Sequence, residues 1–523
     1  MTGPIALIGL DAFDVDLARP WAEAGELPVL ARLLRTGVVV PTEAPAGVYV
    51  GAVWPSVATG VNPGRHGYHC WQQVRPGQYG VERHRVREQG LGAEPVWAAV
   101  GRAGHPVVVV DAPHAPLMAG LPGAQLLEWG GHDADLPPIS EPAGLAEEVV
   151  ATHGDHPSWG NCNAHGRDAA AWAQLSQDLV GGADARAAVT LELAGRTDAD
   201  LVVCVFAESH CIGHQAWHLH DPDAPDHDPA VVAEVGDPVL AVYRAVDAAL
   251  GRILDGLGPS TRALVLASHG MGTHTDPTYL LDEVLLRLEA SRRFAGPRRR
   301  LQRLERTRDR LGRAGRVLDP AVEALGRRHH DQVFGWCAQA RPADRLWFQQ
   351  PNNEPEAGIR LNLEGREPAG RIAPADVEAE TTWLIDELRQ LVDADGQPVV
   401  RDVLVSRDLY HGPHVDRLPD LLVRWRRGGM KDRVSSPQVG EVHHPYQGAR
   451  TGDHHPRGLL IAAGPTTTPA GVTEVHPVED IAPTVALLFG LPVDPYDGSP
   501  IAEVVAALGD PPPPQRRVGS SSP

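Results

Sequence analysis

The sequence predicts an α/β protein in which a mostly parallel central sheet is covered by helices on both faces and interrupted by a helical, basic insert. Three observations predict it. Short continuous apolar runs rich in Val, Ile and Leu recur at Ile5 to Leu10, Val107 to Asp111, Leu201 to Phe206, Ala263 to Ala267 and Leu459 to Ala463. Strands buried on both faces read this way, whereas half-exposed strands alternate apolar with polar residues. Each run is followed by a helical pattern, the alternation that winds a parallel sheet on both sides. The chain is also long enough, at 523 residues and 42% hydrophobic, to bury one large core with an inserted element.

Between Leu281 and His330 the character changes. Thirteen arginines lie from Arg292 to Arg328, with Leu301, Leu304 and Leu311 at helical spacing. This reads as a helical hairpin, either a basic lid over an anionic substrate or a solvated amphipathic pair. The expected organisation is therefore a first part of the core over 1–280, an arginine-rich insert or cap over 281–345, a second part of the core over 346–509 and an unfolded tail over 510–523.

Composition removes several function classes. A formal charge of −20 and a pI near 5.6 oppose generic attraction to nucleic acid or an anionic membrane. One basic residue of 47, Lys431, is a lysine, and no phosphate-binding glycine loop with its lysine occurs. No apolar run reaches membrane-spanning length, and the N-terminal residues run into a strand without the charge and apolar pattern of a leader. The five cysteines show no paired C-x-x-C spacing, and Cys204 reads as core packing. These features predict a cytoplasmic protein with no nucleic-acid or membrane partner, in which any small anionic metabolite must be held by a local site.

The 25 histidines carry the information, because a few sit where strands end. Ligands of open α/β sheets bind at the carboxyl ends of the strands. Asp11 follows the first strand, where it could cap a helix or bind a metal. His210 and His214 are spaced i, i+4, on one face of a helix, as suits a shared metal. His269 follows a strand within Ser268-His269-Gly270-Met271-Gly272. His454 precedes the last strand in Gly452-Asp453-His454-His455-Pro456-Arg457-Gly458. Glu208 could orient an imidazole or act as a base. His218, His220, His274, His443, His444 and His455 are further polar groups nearby, none singled out.

In this order the motifs are recognisable. Asp11, then Thr59-Gly60 with Pro63, His66 and Gly67, then His214, the His269-Gly270 turn and a final His454 with Gly458 together resemble the alkaline phosphatase superfamily. The type I phosphodiesterase/nucleotide pyrophosphatase-like branch is the most similar. Gly358 to Pro368, Leu418-Pro419-Asp420, Asp480-Ile481-Ala482-Pro483-Thr484 and Asp497-Gly498 add to the resemblance. It implies an alkaline phosphatase-like fold and divalent metal chemistry, usually zinc with manganese as an alternative, on a phosphodiester, pyrophosphate or phosphomonoester. Carried over residue by residue, it assigns Asp11 and His269 to one metal and His210, His214 and His454 to the other. It also places Arg360 and Asn362, with Asn352 and Asn353, on the substrate side, where their alternative is ordinary loop and strand hydrogen bonding.

Three positions depart from the pattern. The nucleophile position is Val50, which has no hydroxyl. Ser56 is the nearest replacement, and it could serve only if Pro55 opened the helix. His210 stands for an aspartate and remains a ligand; Ser268 stands for another and does not. The expectation is a neutral three-histidine centre with an open position, the arrangement that lowers the pKa of zinc-bound water to about 7 and allows attack by metal-bound hydroxide. The Asp11/His269 position should hold metal more weakly. The rival expectation is a repurposed relative, either a non-catalytic binding or assembly protein or a phosphoryl or sulfuryl transferase.

Overall fold

The computed structural model describes residues 3–131, 136–157, 166–353, 355–428 and 431–509. The expected tail over 510–523 and Cys162 lie outside the described residues. Among those described, a ten-stranded sheet organises the chain. Ile5–Leu10 lies at its centre, parallel to Leu201–Phe206 on one side and to Arg262–Ala267 on the other. Val107–Val110 and Gly123–Leu127 extend the parallel part. Arg457–Ala463 reverses direction, running antiparallel to both Arg262–Ala267 and Val38–Glu43.

Alternate side chains of the central strands feed two separate cores. Ala6, Ile8, Leu10, Cys204 and Phe206 face a core built with the helices Val15–Glu23, Pro28–Thr36, Ala169–Thr197, Glu208–His220 and Pro238–Leu257. Ile5, Leu7, Leu201, Val203 and Val205 face the other, with Tyr49–Thr59, Val96–Arg102, Ile481–Leu488 and Ala502–Leu508. Both faces of one strand are thus apolar, which is why the runs read as continuous. Each fully buried Val, Leu, Ile or Phe side chain among these stabilises the fold by about 1.5–3 kcal/mol.

A second, four-stranded antiparallel sheet consists of Trp347–Gln350, Glu356–Leu361, Leu421–Trp425 and Val400–Val405. Its core includes Leu281, Val284, Leu285 and Leu288 of the helix Leu281–Arg293. The expected boundaries at 281 and 346 therefore do not follow the packing. The first helix of the insert is buried against a sheet made by residues assigned to the second part of the core. The helices Ala295–Leu311 and Asp319–Cys337 do form the exposed arginine-rich pair, without one buried residue. Arg298 bonds to the backbone of Pro437 and to Gln438, and Arg287 to the backbone of Glu441, which fastens this region to the separate hairpin of Arg433–Ser436 and Gly440–His443.

Candidate metal centre

The central strands deliver their following residues to one place. The ladder continues one step beyond the strands, since Asp11 N donates to Phe206 O (2.9 Å) and Ser268 N to Leu10 O (3.2 Å). Asp11 is thereby wedged between the segments that carry His210 and His269. His454 arrives from a two-stranded ribbon, Gly270–Thr273 against Gly452–His455, in which Met271 faces His454.

The helix Glu208–His220 starts directly after Leu201–Phe206, and the i, i+4 spacing brings His210 Nε2 within 3.2 Å of His214 Nε2. His214 Nδ1 lies 2.9 Å from Gly452 O. A carbonyl only accepts, so Nδ1 carries the proton and Nε2 presents its lone pair. The His454 ring stacks on His210, with centroids 5.0 Å apart, and stands edge-on to His214 at 4.5 Å. One ligand atom from each of the three residues lies within 4.8 Å of the others. His454 Nε2 is buried and has no hydrogen-bond partner. Burial, with His214 and His269 alongside, pushes the His454 pKa well below 6.5, so the ring is a neutral lone-pair donor. Three converging imidazoles, with a buried, unpartnered nitrogen on His454, fit a divalent metal such as zinc.

Asp11 and His269 differ. Asp11 Oδ1 accepts from Trp54 Nε1 at 2.6 Å and from Ser268 Oγ at 3.3 Å, and lies 3.8 Å from His269 Nδ1. His269 Nε2 is 3.1 Å from His454 Nδ1. Among the described residues, no group of three potential ligands contains both Asp11 and His269. Ser268 occupies the place of a carboxylate and only bridges the pair by hydrogen bonds.

Four further expectations change on inspection. Ser56 lies inside Tyr49–Thr59, a helix that begins six residues before Pro55, so proline does not open it. The side chain is buried, with Oγ 3.1 Å from His66 Nε2. His66 Nδ1 accepts from Tyr68 N, so Nε2 donates to Ser56 and cannot take its proton. Ser56 is thus buried in the core, with its hydroxyl bonded to His66, which does not activate it as the nucleophile expected from sequence. Glu208 is fully buried in a network with Arg186 Nε (3.0 Å) and His156 Nε2 (3.1 Å), and Arg186 also pairs with Asp111. Burial alone would raise its pKa, but Arg186 and His156 hold it down to about 2, too low for a general base at neutral pH.

Arg360 is buried in the smaller sheet, bonded to Glu367 (2.7 Å) and Asp416 O (3.0 Å). Asn362 bonds to Arg345 O (2.7 Å) and accepts from Tyr79 (2.9 Å). These bonds run to loop groups around the smaller sheet, as the reading of loop and strand hydrogen-bonders expects, while Arg360 Nη2 is buried without a hydrogen-bond partner. Val50 is the second residue of Tyr49–Thr59 and packs on the second apolar core. The neighbouring Tyr49 hydroxyl donates to His454 O at 2.9 Å, and burial pushes its pKa well above 10, so it stays protonated.

The motif Thr273-His274-Thr275-Asp276 supplies a second cluster of potential ligands, His274, Asp276 and Asp453, of which sequence reasoning had weighed only His274 as a nearby histidine. The alternation His-x-Asp was visible, but nothing local pointed to Asp453 as its third member.

With this geometry in place, the comparisons decide the family. The family model for type I phosphodiesterase / nucleotide pyrophosphatase matches residues 5–431. The chain belongs to this family. It is accordingly a member of the alkaline phosphatase superfamily, and the wild-type alkaline phosphatase PafA shares its fold, with a TM-score of 0.51 at 14% identity over 96% of this chain and 98% of that one. Phosphonoacetate hydrolase from Sinorhizobium meliloti, solved with phosphonoacetate, aligns at TM-score 0.49 and 15% identity over 92% of this chain and 94% of that chain. Murine ectonucleotide pyrophosphatase / phosphodiesterase 5 aligns at TM-score 0.46 and 13% identity over 95% and 97%. No curated protein is significantly similar in sequence. The family supports a phosphodiesterase or phosphatase-type hydrolase.

Proposed function

We propose that the protein hydrolyses a phosphodiester or pyrophosphate bond of a small anionic metabolite at the His210/His214/His454 centre, through direct attack of water. The convergence of three imidazole ligand atoms within 4.8 Å, beside a nucleophile position filled by Val50, carries this reading. A divalent metal bound there, with zinc first and manganese second in preference, supplies positive charge for phosphoryl oxygens and makes water nucleophilic at neutral pH.

The chain's own residues hold that centre. Gly452 O fixes the His214 tautomer. Tyr49 and Arg427 Nη2 both donate to His454 O, at 2.9 and 2.8 Å, and keep the ribbon from drifting. His210 is the least buried of the three and marks the open side. No described helix is long and apolar enough to cross a membrane. The charge of −20 supports a small metabolite, handled in the cytoplasm in our reading, over a nucleic-acid substrate.

The test is hydrolysis of bis(p-nitrophenyl) phosphate by zinc-loaded protein, followed by acid quench and peptide mass spectrometry. The expected result is turnover that His214→Ala abolishes, with no phosphorylated Ser or Thr. A phosphorylated residue, or activity retained in His214→Ala, contradicts the proposal. The occupation of Asp11 by Trp54 favours a non-catalytic relative as the second reading. Zinc-loaded protein that turns over no phosphodiester, pyrophosphate or monoester would support that one.

A further inference from the structure

We infer that His274, Asp276 and Asp453 form a second cation site, separate from the histidine centre and suited to a harder divalent ion such as manganese. Ligand atoms of the three residues lie within 4.8 Å of one another, and all three residues are buried. His274 Nδ1 is 3.1 Å from Asp453 Oδ2 and 3.5 Å from Asp276 Oδ2. Two carboxylates converge on one imidazole, a donor set richer in oxygen than the three-histidine centre and matched to a harder metal.

Two independent observations point to a ligand. Asp276 Oδ2 is buried without a hydrogen-bond partner, while Oδ1 accepts from Thr278 N at 2.9 Å. A buried carboxylate oxygen left this way is costly unless a cation meets it. Glu356 borders the same cleft of about 40 Å³, together with Asp276 and Asp453, and its Oε2 is likewise buried and unpartnered. Burial lifts the Glu356 pKa to about 7 despite the pull of Arg424 and Arg401.

Arg401, Arg426 and Arg427 also line the cleft. Arg427 Nη2 is committed to His454 O, and Arg401 Nε lies 3.7 Å from Asp402 Oδ2. Among the described residues no arginine comes within ion-pair distance of Asp276, so these guanidiniums do not do the cation's work there. Asp453 and His454 are consecutive in the ribbon, and Asp453 Oδ1 accepts from His454 N at 2.8 Å. Successive strand residues point to opposite faces, so one strand serves both centres. An ion on Asp453 would brace the backbone that presents His454. The site does not depend on a metal at the histidines.

The test uses the full chain carrying His210→Ala and His214→Ala, which removes two of the three imidazoles of the histidine centre. The chelator-stripped protein is titrated with Mn2+ alone, and free ion is counted by electron paramagnetic resonance. The double variant should bind one equivalent more than the same protein with Asp276→Asn added, and Asp453→Asn should lose the same equivalent. The Asp276→Asn change keeps a side-chain oxygen for the Thr278 N–H, so the local turn survives. Melting curves provide a second reading, with Mn2+ raising Tm in the double variant and not after Asp276→Asn. Equal Mn2+ stoichiometry with and without Asp276→Asn in folded protein overturns the proposal.

Discussion

The indole nitrogen of Trp54 donates to Asp11 Oδ1 at 2.6 Å. The carboxylate that the sequence resemblance assigns to a metal is here shared with a tryptophan and with Ser268 Oγ at 3.3 Å. Restoring a carboxylate at this point should restore a ligand set. Ser268→Asp is expected to gain a second equivalent of zinc, read by elemental mass spectrometry, whereas Ser268→Ala gains none. An unchanged metal content in Ser268→Asp would show that the second position is closed for another reason.

Glu208 neutralises Arg186 inside the protein, with Asp111 on the other side of the guanidinium. Removing one partner of a buried ion pair costs about 3–5 kcal/mol. Glu208→Ala should lower unfolding free energy by an amount in that range in urea, with activity per folded molecule retained at low temperature. Selective loss of rate in stable protein would return Glu208 to the chemistry.

Ser56 hydrogen-bonds to His66 in the core. Ser56→Ala should cost about 1 kcal/mol of stability and leave the rate of phosphodiester hydrolysis unchanged. A rate that vanishes in folded Ser56→Ala would make it the nucleophile after all.

His66 and His69 are buried and neutral, each with a pKa lowered from 6.5 to about 3, chiefly by burial and also by nearby histidines. Between those values the unfolded chain takes up protons that the folded chain refuses, so their stabilisation is complete above pH 6.5 and is lost as pH falls toward 3. Melting temperature should drop from about pH 7.5 to about pH 5.5, and His69→Asn should flatten the dependence. An identical slope in His69→Asn would place the acid sensitivity elsewhere.

Much of this was legible because strands buried on both faces leave continuous apolar runs. The residues after them, Asp11, His210, His214 and His269, then fell at the carboxyl edge. The i, i+4 pair needed only helix geometry, and the loss of a hydroxyl at Val50 could be counted. The smaller sheet was hidden because its strands lie far apart in sequence and share a core with Leu281–Arg293, a helix whose composition resembles the exposed insert. The role of Glu208 was hidden for a related reason. Its partner Arg186 lies 22 residues earlier, within the 29-residue helix Ala169–Thr197, where an arginine looks like surface. Arg360 and Asn362 matched a family segment, yet their side chains bond to loop groups such as Glu367, Asp416 O and Arg345 O that no local motif announces.

The central claim is that one metal sits on three histidines and that Asp11 is not needed to hold it. The most direct measurement is zinc content by elemental mass spectrometry on gently purified wild-type protein, His214→Ala and Asp11→Ala. The account predicts about one equivalent of zinc in the wild type, none in His214→Ala and about one in Asp11→Ala. Two equivalents in the wild type with one lost in Asp11→Ala, or zinc retained in His214→Ala, would contradict it.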